Sequence, residues 1–239
     1  MTEITFLGTG NYRAQDRYWN SFVIDRSILV EPAPTALPNL RKCGLRVDDL
    51  DAVFISHFHP DHTFGWPFLL LDILLHHRDR RLSIVGPPGV EAFLGDMMQL
   101  GSVYDLVDQM HAQVDAHYIE VNGDWQEESG IRFRAVEVEH VPELRCYGFL
   151  IERDDLTVGY SGDTHPCPGL DELADGADVL VLECNSPHPH PSHMDVEKVR
   201  AFREKHPDLP FVLTHAGAGV DPAGLGNTVL PDDFQTLTF

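Results

Sequence analysis

Short apolar runs rich in Val, Ile and Phe recur along the whole chain and read as half-buried or buried strands. They predict strands at residues 4–7, 21–25, 28–31, 52–56 and 82–85, and again at 117–121, 131–138, 147–152, 157–161, 179–183 and 211–214. Apolar positions spaced near 3.6 predict helices at 63–77, 89–100, 104–113 and 193–206. In the first of these, Phe64, Phe68, Leu71 and Leu75 mark an expected buried face; Val90, Phe93, Leu94, Met97 and Met98 mark another. Strands dominate both halves and helices intervene in each, so the expected design is layered α/β, two sheets packed together with helices outside. With no Gly/Ser linker and no low-complexity segment, residues 1–239 are read as one domain with two pseudo-equivalent halves.

The pattern breaks most sharply after the run 52–56. There, His57-Phe58-His59-Pro60-Asp61-His62 sets three imidazoles and a carboxylate at a strand end. Imidazole and carboxylate together suit Zn²⁺ or a similar divalent cation, and burying them unpartnered is costly. His57 and His59, at i and i+2, face the same way on an extended segment, whereas Asp61 and His62 must point elsewhere and suggest a second metal. Three further groups end or follow apolar runs: His140, Asp163 and His215. Ligands at strand ends fit a site carried by loops on a rigid scaffold.

His193 precedes a helical pattern in which Val196, Val199 and Phe202 share one face, and a helix N-terminus suits an anionic group. Glu183, at the end of a strand, either orients His193 or is an exposed strand terminus. His188 and His190 either line the mouth of a pocket or are solvated in their Pro-rich loop. Thr9-Gly-Asn-Tyr-Arg13 and Trp19 are candidate pocket residues, with Arg13 a phosphate contact; Trp66 reads better as packing beneath the loops. His76, His77, His111, His117, His165 and His206 read as surface or structural.

Composition narrows the partners. Seventeen basic and 38 acidic residues leave a formal charge of −21, which opposes a polyanionic nucleic-acid partner. The basic run Arg78-Asp-Arg-Arg81 reads as a solvated helix end. Four scattered cysteines form no C-x-x-C pair and no disulfide framework, which favours a reducing compartment, and the start of the chain reads as a first strand rather than a signal peptide. The expected location is the cytoplasm. The apolar stretch 66–75 is too short to span a membrane; a homodimer interface or the core would suit it equally.

The series His57-x-His59-x-Asp61-His62, His140, Gly162-Asp163-Thr164 and Thr214-His215 resembles the metallo-β-lactamase-fold hydrolase superfamily over nearly the whole chain. Tyr160-Ser-Gly-Asp-Thr164 and Ser192-His-Met194 are similar to motifs of its ribonuclease Z and phosphodiesterase branch. The resemblance implies a four-layer αββα sandwich and two divalent metals. His57, His59 and His140 would hold the first, Asp61, His62 and His215 the second, and Asp163 would bridge them. It also implies hydrolysis by a metal-bound hydroxide, with Asp61 orienting the water and His193 acting as acid. Redox-active di-iron relatives look like H-x-E-x-D at the first motif; His59 in place of that Glu favours zinc and hydrolysis, with Mn or Fe left open. Ribonuclease Z proteins that process tRNA carry a protruding basic arm, and only 52 positions separate Asp163 from His215. The expected substrate is therefore a small anionic phosphodiester. Alternatives are a lactone, thioester or sulfate ester, tRNA 3′-end cleavage, and a metal-binding protein without catalysis.

Overall fold

The computed structural model describes residues 1–76, 78, 80–100 and 112–239. Two seven-stranded sheets carry the chain. The first contains β1 (Glu3–Gly8), β2 (Ser21–Ile24), β3 (Ile28–Val30), β4 (Ala52–Phe54), β5 (Leu82–Gly86) and β6 (Ala116–Glu120), with β14 (Thr236–Thr238) pairing beside β1. The second contains β7 (Trp125–Glu128), β8 (Ile131–Val138), β9 (Cys146–Arg153), β10 (Leu156–Tyr160), β11 (Val179–Glu183), β12 (Phe211–Thr214) and β13 (Thr228–Val229), in reverse spatial order. Each sheet is antiparallel on one side and parallel on the other: β3 to β6 run parallel in the first, β10 to β13 in the second.

The inner parallel strands β3, β4, β5, β11 and β12 are buried along their whole length, which is why they read as continuous apolar runs rather than alternating ones. Between the sheets lies a core of Phe6, Phe22, Phe54, Phe133, Phe149, Val158 and Tyr160. Phe54 meets Phe133 and Phe149 edge-on, with centroids 5.1 and 5.2 Å away. Each such buried side chain contributes about 1.5–3 kcal/mol. The outer faces are covered by helices. Residues of α1 (Ala36–Lys42), α3 (Trp66–His76) and α4 (Val90–Leu100) pack on the first sheet. Residues of α5 (Pro168–Gly176) and α6 (Val196–Lys205) pack on the second.

Several expectations change. The helix expected over 63–77 is two: α2 (Pro60–Thr63) and α3, separated at Phe64-Gly65. Gly65 packs so closely on the preceding loop that a Cβ there would lie 2.0 Å from the Ala33 carbonyl oxygen. The buried face of α3 is Trp66, Leu69, Leu70, Ile73 and Leu74, whereas Phe64, Phe68 and Leu75 are exposed. A helix apolar nearly all round offers two faces of equal periodicity, and packing chooses between them. Arg78 is not a solvated helix end. Its buried guanidinium donates to the carbonyls of Val47, Asp48 and Leu50 and ties that turn to the start of β5. Helix α6 begins at Val196, where the Asp195 carboxylate accepts from the Lys198 amide, so His193 precedes the helix. Helix α1, helix α5 and strands β7, β13 and β14 were not anticipated. Most of the helix expected at 104–113, and His77 and His111, lie outside the described residues.

Candidate metal centre

The carboxyl ends of β3, β4, β8, β10, β11 and β12 bring the candidate groups together, the usual edge for ligand sites in α/β sheets. Glu31 follows β3, His57 to His62 follow β4 and run into α2, His140 follows β8, Asp163 follows β10, Glu183 ends β11 and His215 follows β12. Glu31 and His215 have left-handed backbones, φ 60° and 50°. Such conformations are costly for residues with a Cβ and cluster at functional sites, here swinging each side chain off the end of its strand.

Four overlapping ligand groups result among the described residues, and two of them carry the expected sets. Ligand atoms of His57, His59, His140 and Asp163 all lie within 4.8 Å of one another, and so do those of Asp61, His62 and His215. His57 Nε2 and His59 Nδ1 face each other at 3.0 Å. Asp163 belongs with the second group as well: its Oδ2 is 3.4 Å from His62 Nε2 and 3.5 Å from His215 Nε2. Asp61 Oδ2 stands 3.4 Å from His215 Nε2 and 3.7 Å from His62 Nε2.

Neighbouring groups set which nitrogen each ring presents. His140 Nδ1 donates to the Ser192 carbonyl oxygen at 2.9 Å, which leaves Nε2 for the cluster. Ser56 Oγ, 2.8 Å from His57 Nδ1, does the same for His57. Among the described residues, both His62 nitrogens and Asp163 Oδ1 are buried without a hydrogen-bond partner. Orphaned imidazole and carboxylate atoms within one buried cluster, with mixed N and O chemistry, fit a divalent cation.

The electrostatics agree. Burial, with the neighbouring His62 charge, holds His57 well below the usual imidazole range. Burial also lowers His59 and His140, so these rings are neutral and ready to ligate. Burial alone would lower His62 too, but the carboxylates of Asp163 and Glu31 outweigh it and hold His62 well above its usual range. Burial disfavours the Asp163 anion, yet His215 and His62 overcome that and keep its carboxyl well below the usual range. Asp61 is lowered in the same way, its burial outweighed by His215 and His62.

This arrangement predicts proton release on metal binding. A protonated His62 cannot ligate, so a cation must displace its proton. Metal affinity is therefore expected to rise with pH, by up to about tenfold per unit for each proton displaced, until His62 is neutral. Calorimetric titration in buffers of differing ionisation enthalpy reads the proton directly; heats independent of buffer at pH 7 would refute it.

His193 joins a further group, with a ring nitrogen and ligand atoms of Asp163 and His215 within 4.8 Å of one another. Its Nδ1 is 2.8 Å from Glu183 Oε1, and its ring centroid is 4.5 Å from that of His140. Glu183 is fully buried and also accepts from the Thr164 amide at 2.7 Å, so it orients His193 and is no exposed strand end. Burial lowers His193, while burial and the Asp163 charge push Glu183 well up.

Glu31 has no counterpart in the expected set. Its carboxylate accepts from the Ser56 amide and from Tyr160 Oη at 3.0 Å, and lies 3.4 Å from His62 Nδ1. Tyr160 Oη accepts from Asn20 Nδ2, and Asn20 Oδ1 accepts from Thr214 Oγ1, beside His215. A buried polar chain thus joins His62 to the end of β12 through the middle of the sandwich. The signal was present in the sequence, since Glu31 closes an apolar run before Pro32 as Asp163 and Glu183 close theirs.

Above the clusters opens a cavity of about 1120 Å³, lined by His59, Asp61, His140, Asp163, His193 and His215 below and by Tyr12, Arg13, Trp19, Phe64, His188 and His190 toward the mouth. Trp66, only 1% exposed, is in the core as expected. No helix among the described residues is long and apolar enough to cross a membrane.

Residues 26–216 match the Beta-lactamase superfamily domain. Ribonuclease Z of Mycobacterium bovis (strain BCG / Pasteur 1173P2) is 30% identical over 195 residues, covering 76% of this chain and 69% of that protein. The metallo-beta-lactamase fold protein YhfI from Bacillus subtilis superposes with a TM-score of 0.79 at 18% identity, over 99% of this chain and 98% of its own. A diphosphatase from the PhnP family superposes with a TM-score of 0.77 at 20% identity, over 100% and 98%. These two likenesses speak for the fold, and the sequence matches for the family. The strand-end histidines and carboxylates, the paired seven-stranded sheets and the matched domain together show that the chain belongs to the beta-lactamase superfamily, as a metal-dependent hydrolase of the metallo-β-lactamase fold.

Proposed function

We propose that the protein is a dinuclear metal hydrolase of small phosphodiesters. The observation that carries this reading is Asp163, whose carboxylate sits within ligand reach of both groups of histidines. His57, His59 and His140 would hold one cation, Asp61, His62 and His215 the second, with Asp163 between them; the N-rich donor set favours zinc, and manganese or iron would also be accepted. Two such ions would supply the Lewis acidity that makes water nucleophilic near neutral pH and would offset the charge developing on the phosphoryl oxygens.

The chain's own residues provide the rest. Asp61, on the cavity floor, orients the attacking water through its carboxylate. The Glu183–His193 pair acts on the leaving oxygen. Holding two protons, the pair is neutral overall, so burial does not oppose that state, and His193 Nε2–H is left to donate into the cavity. His193→Ala is expected to slow an alkyl leaving group about a hundredfold and a p-nitrophenolate leaving group about tenfold or less, because the latter needs little protonation. Metal content should be unchanged. Equal losses for both esters, measured as kcat, would remove His193 from the proton-transfer role.

A small substrate is supported by the −21 charge and by the segment from Asp163 to His215, which is fully described and consists of α5, β11, α6, β12 and the connections between them, the longest being residues 184–195. The free cysteines Cys43, Cys146, Cys167 and Cys184 support a reducing, cytoplasmic setting. The ribonuclease Z relative favours a second reading, cleavage at the 3′ end of precursor tRNA. Metal-loaded protein assayed on bis-p-nitrophenyl phosphate, p-nitrophenyl sulfate, a lactone, a thioester and a precursor tRNA separates these readings. Two metals per chain with turnover confined to the diester would support the proposal; turnover only of the sulfate, lactone, thioester or tRNA would overturn it.

A further inference from the structure

The mouth of the cavity has a chemistry of its own. Three aromatic side chains border it: Tyr12 and Phe64 are 60% and 46% exposed, and Trp19 is half-buried. Among the described residues, Arg13 is the lone Lys or Arg lining the cavity. Large exposed aromatics cost solvation unless something covers them, and rigid rings lining a cavity are a common device for stacking a flat ligand.

The loop that carries Tyr12, Arg13 and Trp19 is built into the metal-bearing edge. Gly10 bridges both Trp19 and Ala216, the residue after His215. Asn11 Oδ1 accepts from the Arg13 amide, and Asn11 Nδ2 donates to the Asn185 carbonyl oxygen. The Asp233 carboxylate accepts from the amides of Thr9 and Tyr18 and so clamps both arms of the loop. Gly8 lets the loop lie against β1, since a Cβ there would come within 2.2 Å of the Trp19 carbonyl oxygen. A wall so pinned is preorganised, and preorganisation is where binding selectivity is gained.

We propose that this mouth is a subsite for a planar aromatic ring borne on the non-leaving side of a monoanionic phosphodiester, an aryl group or a nucleobase alike. Tyr12, Trp19 and Phe64 stack the ring, and Arg13 meets the single charge that the diester presents. One cation at the mouth suits a monoanion and gives a polyanionic chain little purchase. The assignment rests on the phosphodiesterase reading above, and it narrows the substrate class.

The test keeps the leaving group constant and varies the other side. Metal-loaded protein is assayed on methyl, phenyl and thymidine-5′ p-nitrophenyl phosphates, in the wild type and in Trp19→Ala, Trp19→Phe and Tyr12→Ala. Binding of phenylphosphonate and methylphosphonate is measured by calorimetry without turnover. The expected result is about a tenfold preference for ring-bearing esters in kcat/KM, matched in phosphonate affinity. That preference should collapse in the alanine variants and be retained in Trp19→Phe. The phenyl and thymidine arms separate a bare aryl site from one that reads a nucleobase. Equal kcat/KM and equal affinity for ring and methyl ligands would overturn the subsite while leaving phosphodiesterase activity standing. No turnover of any diester would instead defeat the phosphodiesterase reading, with the phosphonate affinities still reporting on the mouth.

Discussion

Asp163→Ala is expected to leave a folded protein that binds at most one metal per chain and hydrolyses diesters roughly 10⁴-fold more slowly, about 5.4 kcal/mol of lost transition-state stabilisation at 1.36 kcal/mol per decade. The size follows from where the carboxylate sits. It is 2% exposed, its Oδ2 faces His62 and His215 at 3.4 and 3.5 Å and His57 at 3.8 Å, and its Oδ1 has no hydrogen-bond partner among the described residues. Glu31 also has an oxygen within 4.8 Å of ligand atoms of His57 and His62, but its carboxylate is engaged by the Ser56 amide and the Tyr160 hydroxyl. Asp61 reaches only His62 and His215, so Asp61→Ala should weaken one metal and spare the other. Metal content by mass spectrometry, beside kcat for bis-p-nitrophenyl phosphate, checks both variants. Two metals retained in Asp163→Ala would defeat the bridging assignment even if activity fell.

Glu31→Gln should be the most damaging change outside the ligand set, in stability as well as in metal binding. Glu31 is fully buried, and its oxygens take hydrogen bonds from the Ser56 amide and the Tyr160 hydroxyl while standing 3.4 Å from His62 Nδ1. Burial and the Glu31 charge push the Tyr160 hydroxyl well above its usual range, so that proton stays in the hydrogen bond. The amide keeps the volume but brings two N–H donors to a place built of donors, and it removes the anion beside His62 Nδ1, leaving Asp163 on the other side of the ring. Removing one partner from a buried charged network costs about 3–5 kcal/mol. A lowered urea midpoint with unchanged m-value would report it. Metal affinity should fall about 10- to 100-fold, as for other groups that orient a ligating imidazole. Glu31→Asp, retaining charge, should recover part of the metal affinity; a variant with full stability and full affinity would show Glu31 to be a bystander.

Both variants act on groups that differ in how plainly the sequence announced them. Asp163 ends an apolar run before Thr164 and joins a recognisable series of histidines. Glu31 ends an apolar run in the same fashion, yet it stands alone in sequence, 25 positions before Ser56 and 129 before Tyr160. Long-range hydrogen bonds leave no local period, so no window along the chain could pair these groups. The α3 helix failed for a different reason. Its residues are apolar on nearly every side, so the period near 3.6 was real but could not say whether Phe68 or Leu69 faces the sheet. Arg78 resembled a surface charge until three carbonyls of one turn were seen to converge on it.

The sequence by itself determined most of the strands, the layered class and the strand-end histidines and carboxylates, because apolar runs and residue chemistry are local properties. Only the tertiary structure decided which face of α3 is buried, that Glu183 holds His193, that Glu31 steadies His62, and that Tyr12, Trp19 and Phe64 wall one mouth. Those are juxtapositions of residues far apart in the chain, set by how two sheets twist and pack. The motif from His57 to His62 could say that metals bind, but the packing of β8, β10 and β12 against it was needed to bring Asp163 between the two groups.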